Sequence, residues 1–238
     1  MLPRVLEPET LDHLAPDDPV AQRSRRDLRR VNAFMGARRI LARAMARALA
    51  DAPARPLRIL ELGCGDGRLM LEVARHRGDR WPEARLDLLD RQPIVDAATL
   101  AAYAAAGWQA KPLIADVMAW ADVDDGARWD VIVANLFLHH FDADALGQLL
   151  AACARRGDAL AACEPRRSRF ALAASHLIFF LGANAVTRND GVLSVRAGFV
   201  DHELAAAWPE ETAAWRLDEY DDGLFTHCLV AARRRTST

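Results

Sequence analysis

Ile59-Leu60-Glu61-Leu62-Gly63-Cys64-Gly65-Asp66-Gly67-Arg68 is the stretch that decides the fold. An apolar run ends in an acid, and glycine then takes every second position. Residues Leu57–Leu62 read as a buried strand, and Asp66–Arg77 as the helix that follows it. Glycine reaches backbone angles closed to other residues and leaves the main chain bare. A junction built this way lets a ligand come very close to the backbone.

Outward from this junction, strand and helix alternate. Arg85–Asp90 reads as a second strand and Pro93–Ala106 as a second helix, which Gly107 stops. Lys111–Ala115, Trp129–Ala134 and Ala159–Cys163 read as further strands, with a helix over Ala143–Cys153. Strands apolar on both faces, alternating with helices, predict an α/β fold with a mostly parallel sheet. Trp215–Tyr220, the turn Asp221-Asp222-Gly223 and Leu224–Ala232 read as a closing antiparallel hairpin. Val31, Phe34, Met35, Leu41, Met45 and Leu49 recur at helical spacing within 20–50, so residues 1–51 read as a helical extension. Residues 52–238 would be the main domain, with a helical lid over about 166–207.

Composition narrows the class. With 52% hydrophobic and 27% charged residues, the 238-residue chain can bury a core of its own. A net charge of −2, with no basic stripe carrying interleaved aromatics, gives no reason to expect nucleic acid. Cys64, Cys153, Cys163 and Cys228 form no C-x-x-C pair, which fits a reduced, cytoplasmic protein. No metal site is read from the sequence. The first residues lack the apolar core of a signal peptide, and Phe170–Val186 is too short and too interrupted for a membrane span.

Ligands of open α/β sheets bind at the carboxyl ends of the strands. Four spots fall there: Glu61 to Gly67, Asp90, Asp116, and Asn135-Leu136-Phe137-Leu138-His139-His140-Phe141. A carboxylate at Asp90 can accept both hydroxyls of a ribose. Dinucleotide enzymes use G-x-G-x-x-G against a pyrophosphate, whereas here the spacing is G-x-G-x-G. Glu61 and Asp66 would repel a pyrophosphate and favour a cation. The ligand indicated is a nucleoside with a positively charged tail. A nicotinamide oxidoreductase is disfavoured, because Tyr103, Tyr220 and Lys111 form no catalytic pattern.

Taken in order, ILELGCGDGR, Asp90, Ala115-Asp116-Val117 and Asn135–Phe141 resemble the class I S-adenosylmethionine-dependent methyltransferases, over about 57–232. That resemblance implies a Rossmann-like seven-stranded sheet with S-adenosyl-L-methionine as cofactor. It implies that Glu61, Gly63, Cys64 and Gly65 line the methionine end, and that Asp90, with Arg91 beside it, holds the ribose. Asp116 and the backbone of Val117 would meet the adenine, and backbone at Asn135 and Leu136 the ammonium.

For the acceptor, His139 and His140 stand where the methyl group should be, and His140 is the favoured base; His176 in the lid is a third candidate. No N-P-P-Y or D-P-P-Y segment follows the fourth strand, which argues against exocyclic or amide nitrogen targets. LRRVNAFMG, NLFLHHF and THCLVAARR further resemble small bacterial methyltransferases of polyketide and phenolic-lipid pathways. The expected reaction is O-methylation of a small, apolar, aromatic acceptor by a monomer or homodimer without stable membrane insertion. C-methylation of a quinol ring and non-catalytic cofactor binding are the alternatives. Leu172, Leu177, Ile178, Phe179, Phe180 and Leu181 are expected in the core or along a greasy channel. Arg188-Asn189-Asp190-Gly191 reads as a turn.

Overall fold

Seven strands form one sheet in the order β3-β2-β1-β4-β5-β7-β6 in the computed structural model, which describes residues 2–51, 55–78, 80–81, 83–209 and 212–234. The strands are β1 (Leu57–Leu62), β2 (Ala84–Asp90), β3 (Trp108–Ile114), β4 (Val131–Asn135), β5 (Ala159–Pro165), β6 (Trp215–Asp222) and β7 (Thr226–Arg233). β1 to β5 run parallel; β7 is antiparallel to both β5 and β6. The expected sheet and its terminal hairpin are both present. Chain order reverses between β1 and β4, which opens a crevice at their carboxyl ends.

The period of two along the strands sorts side chains onto two faces. Leu57 and Ile59 join one core cluster with Leu86, Leu88, Val131 and Val133, while Leu60 and Leu62 join the other with Ile132, Leu160 and Leu229. The helices are α1 (Pro19–Met35), α2 (Ala37–Ala48), α3 (Arg68–Arg75), α4 (Ala97–Ala105), α5 (Val117–Asp122), α6 (Ala143–Arg156), α7 (Arg169–Ser175), α8 (Ala185–Ala197) and α9 (Glu203–Ala206). Among them no helix is long and apolar enough to cross a membrane.

The helical region over 20–50 is two helices. Gly36, at φ +73°, ends α1 and starts α2, an angle an L side chain adopts only with strain. α2 buries Ile40, Leu41, Ala44 and Met45 in the cluster that contains β1 and β4. The expected boundary at 51/52 adjoins residues 52–54, which lie outside the described residues.

Two local expectations fail. Arg188–Gly191 lies inside α8 and is not a turn. The Asn184 side chain caps α8 by accepting from the Thr187 amide at 2.8 Å, and the Asp190 carboxylate accepts the amides of Thr10 and Leu11 at 3.0 and 2.9 Å. Those long-range bonds stabilise helix where local propensity favours a turn. In the apolar run after α7, Leu177 and Phe180 are not core, at 57% and 76% exposed, because α7 stops at Ser175 and turns them outward, whereas Ile178 and Leu181 are part-buried. The Phe179 side chain lies outside the described set.

Candidate active site

Glu61 is the penultimate residue of β1, and the loop beyond the strand packs closely on the Phe137 ring. Gly63 sits at φ +62°, and a Cβ there would lie 2.1 Å from the Phe137 ring. Gly65, at φ +55°, faces open space. Its amide donates to Asp90 Oδ2 at 2.8 Å, and the Gln92 amide donates to Asp90 Oδ1 at 2.9 Å. Asp90 at the end of β2 is therefore fixed by the loops after two strands. From α4, the Tyr103 hydroxyl donates to Gly67 O at 2.5 Å and holds the glycine turn from below.

These pieces line one cleft of 1320 Å³. Every residue expected at the cofactor borders it: Glu61, Gly63, Cys64, Gly65, Asp90, Arg91, Asp116, Val117, Asn135 and Leu136. His139 and His140 border it too; His176 does not, being exposed at the end of α7. Asp116 has a second task as N-cap of α5, accepting from Met118 and Ala119 amides at 2.8 and 3.2 Å. Leu136 holds φ +51°, a strained angle for a bulky side chain and one often found at functional sites.

Glu61 is 4% exposed, and its Oε2 has no hydrogen-bond partner among the described residues. Burial, then the charges of Asp66 and Asp90, push its pKa up to about 8. An unpartnered buried carboxylate is costly alone and is satisfied by a cationic donor. The bare backbone at Gly65, the fixed Asp90 and this orphaned acid thus fit a nucleoside carrying an ammonium group.

The acceptor side is organised by a residue that sequence reasoning missed. Glu164 in β5, fully buried, accepts from the amides of Phe137, Leu138 and His139. It also pairs with His139 Nδ1 at 2.8 Å. Glu9 Oε1 stands 3.4 Å from His139 Nε2. Burial alone would lower the His139 pKa, but the bonds to Glu164 and Glu9 outweigh it and push it up to about 9. His139 is thus an imidazolium with a carboxylate at each nitrogen, and has no free nitrogen to take a proton. His140, with its ring centroid 4.2 Å from that of His139, is the opposite case. Burial, then the charge on His139, hold its pKa below the ordinary value, so its ring is neutral. The only hint of Glu164 in the sequence is an acid at the carboxyl end of a strand.

The cover over the cleft is not the expected one. Among the described residues of 166–207, only Ser194 and Ala197 reach it. Residues 4–14 lie across it instead as a strap. The Arg4 guanidinium donates to Ala197 O at 2.8 Å and Phe141 O at 2.9 Å, and the Val5 amide to Arg196 O at 3.1 Å. On the opposite side Arg91 donates to Asp12 O, and Gln92 Nε2 to Leu14 O at 3.3 Å. Such contacts join residues far apart in the chain and leave no periodic trace.

With the geometry in place, the likenesses to known proteins are informative. Residues 59–157 match the family model described as a methyltransferase domain. Trans-aconitate 2-methyltransferase of Streptomyces avermitilis is 36% identical over 90 residues, which are 37% of this chain and 31% of that protein. The chain thus spans under a third of that relative's length. The plantazolicin methyltransferase BpumL in complex with SAH superposes with a TM-score of 0.65, at 12% identity over 92% of each chain. The magnesium protoporphyrin IX methyltransferase of Synechocystis PCC 6803 with bound SAH superposes at 0.53, with 16% identity over 84% of each chain. Residues 59–157 thus resemble a methyltransferase domain, and the chain has the fold of these two methyltransferases.

Proposed function

We propose that this protein transfers the methyl group of S-adenosylmethionine to the hydroxyl oxygen of a small, neutral acceptor of the phenolic or polyketide type. One observation carries the reading: His140, its ring centroid 4.2 Å from that of His139 and its Nδ1 3.5 Å from Asp12 Oδ2, borders the same cleft as Glu61, Gly65 and Asp90. The cofactor supplies an activated methyl group on a sulfonium, so the protein has chiefly to align the nucleophile. Asp90 would hold the ribose, Glu61 the ammonium, and Asp116 and Val117 the adenine. Asn135 and Leu136 would complete the methionine end through their backbone.

A phenol has an ordinary pKa near ~10 and gains from a base at neutral pH. His140 would take that proton, while His139 stays charged beneath it. Glu9 and Phe141 border the cleft beside the two histidines.

The test is transfer from methyl-labelled S-adenosylmethionine to pooled phenols, alkylresorcinols, quinols, carboxylic acids and amines, read by mass spectrometry. Label on a phenolic oxygen is expected, with loss of cofactor binding in Asp90→Ala. Label on ring carbon would move the reading to a quinol C-methyltransferase. Binding without transfer to any acceptor would make the protein a cofactor-binding module.

A further inference from the structure

α1 presents Arg25, Leu28, Arg29, Asn32 and Ala33 to the cleft, spaced at three and four residues as one helical face requires. Arg29 Nη1 reaches Asp66 Oδ2 at 2.6 Å, which ties this face to the glycine loop. One turn further along, Asn32 Oδ1 is buried with no hydrogen-bond partner among the described residues. Glu61 Oε2, in the same cleft, is the second acceptor in that state. Two buried acceptors without donors ask for a ligand group rich in N–H.

Just beyond lies the start of α2. Gly36 provides no side-chain cap, the first turn holds no acid, and Arg38 and Arg39 both stand there. Cations at a helix N-terminus oppose the helix dipole and call for an anion. Arg38 is half-buried, borders the cleft and has no ion-pair partner among the described residues. Unpaired acceptors and an unpaired guanidinium on one cleft complement a group that carries an ammonium and a carboxylate together.

We propose that the α1–α2 junction grips the amino-acid end of the cofactor: Asn32 joins Glu61 in accepting from the ammonium, and Arg38 with the α2 N-terminus neutralises the carboxylate. This rests on the proposed cofactor reading and extends it to residues outside the glycine loop. The helices before β1 then form part of the cofactor site as well as covering it.

Calorimetric titration of the full chain with S-adenosylhomocysteine and with 5′-methylthioadenosine tests the assignment, because the second ligand keeps the nucleoside thioether and lacks the amino acid. Arg38→Gln is expected to weaken S-adenosylhomocysteine about tenfold and Asn32→Ala severalfold, with 5′-methylthioadenosine affinity within about twofold of wild type. Unchanged S-adenosylhomocysteine affinity in both variants would overturn the assignment. So would equal losses for the two ligands, which would mark a distorted junction. A wild-type chain that binds neither ligand would remove the cofactor reading itself.

Discussion

Glu164 Oε2 and His139 Nδ1 meet at 2.8 Å in a fully buried pair, and the same carboxylate accepts three successive backbone amides of the loop after β4. One side chain therefore fixes both the path of the loop and the charge of the histidine. The His139 pKa is raised when folded, so its stabilisation is fully present below the unfolded value near ~6.5 and fades as pH rises through about 9. In thermal melts from pH 6 to 10 this histidine should contribute a progressive loss on the order of 3 kcal/mol, beside the loss that Glu61 adds below about pH 8. Glu164→Gln should be less stable at neutral pH and show a much flatter alkaline loss; an identical slope in both proteins would detach the effect from this pair.

Glu61 predicts a proton count. Its pKa of about 8 in the free protein leaves it mostly protonated at pH 7, and an ammonium beside it would return it to the ionised form. S-adenosylhomocysteine binding at pH 6.5 to 7 should release roughly one proton, seen as a dependence of the calorimetric enthalpy on buffer ionisation. In Glu61→Gln the release should vanish.

Gly63 is a steric prediction. Gly63→Ala sets a Cβ at 2.1 Å from the Phe137 ring and forces an L residue to φ +62°. A loss of about 2–4 kcal/mol in urea unfolding is expected. Adding Phe137→Ala should recover the steric share and leave the backbone share, so an unrecovered double variant would assign the whole cost to φ.

His140 predicts a pH profile. If its neutral ring takes the acceptor proton, kcat/KM should rise through an apparent pKa below ~6.5 and stay level above it until another group titrates. His140→Phe should lower kcat by about 10²-fold or more while S-adenosylhomocysteine affinity holds. A flat profile in the wild type would leave the ring a positioning role only.

Much of this architecture was legible because the strands are short apolar runs between turn signals. β1 lies over Leu57–Leu62 as read, and β2, β4 and β5 agree within two residues. β3 was read three residues late, since its edge position alternates buried and exposed residues from Trp108 onward and blurs the run. All ten residues expected at the cofactor border the cleft because each sits at or just beyond a strand end, which chain order alone can identify. Glu164, the strap and the interior of α8 were not legible. Their partners stand 25 to 193 residues away, and no local pattern encodes such pairs.

The strap has feet on both sides of the cleft, at Arg91 and Gln92 after β2 and at Asp190, Ser194 and Arg196 in α8. A bridge anchored at two banks opens fully only when one bank lets go. Exchange of the nucleoside product would then be timed by chain release and not by the product's own grip. Turnover would carry the kinetic signature of a ferry, loading and unloading at the rate its ramp is lowered.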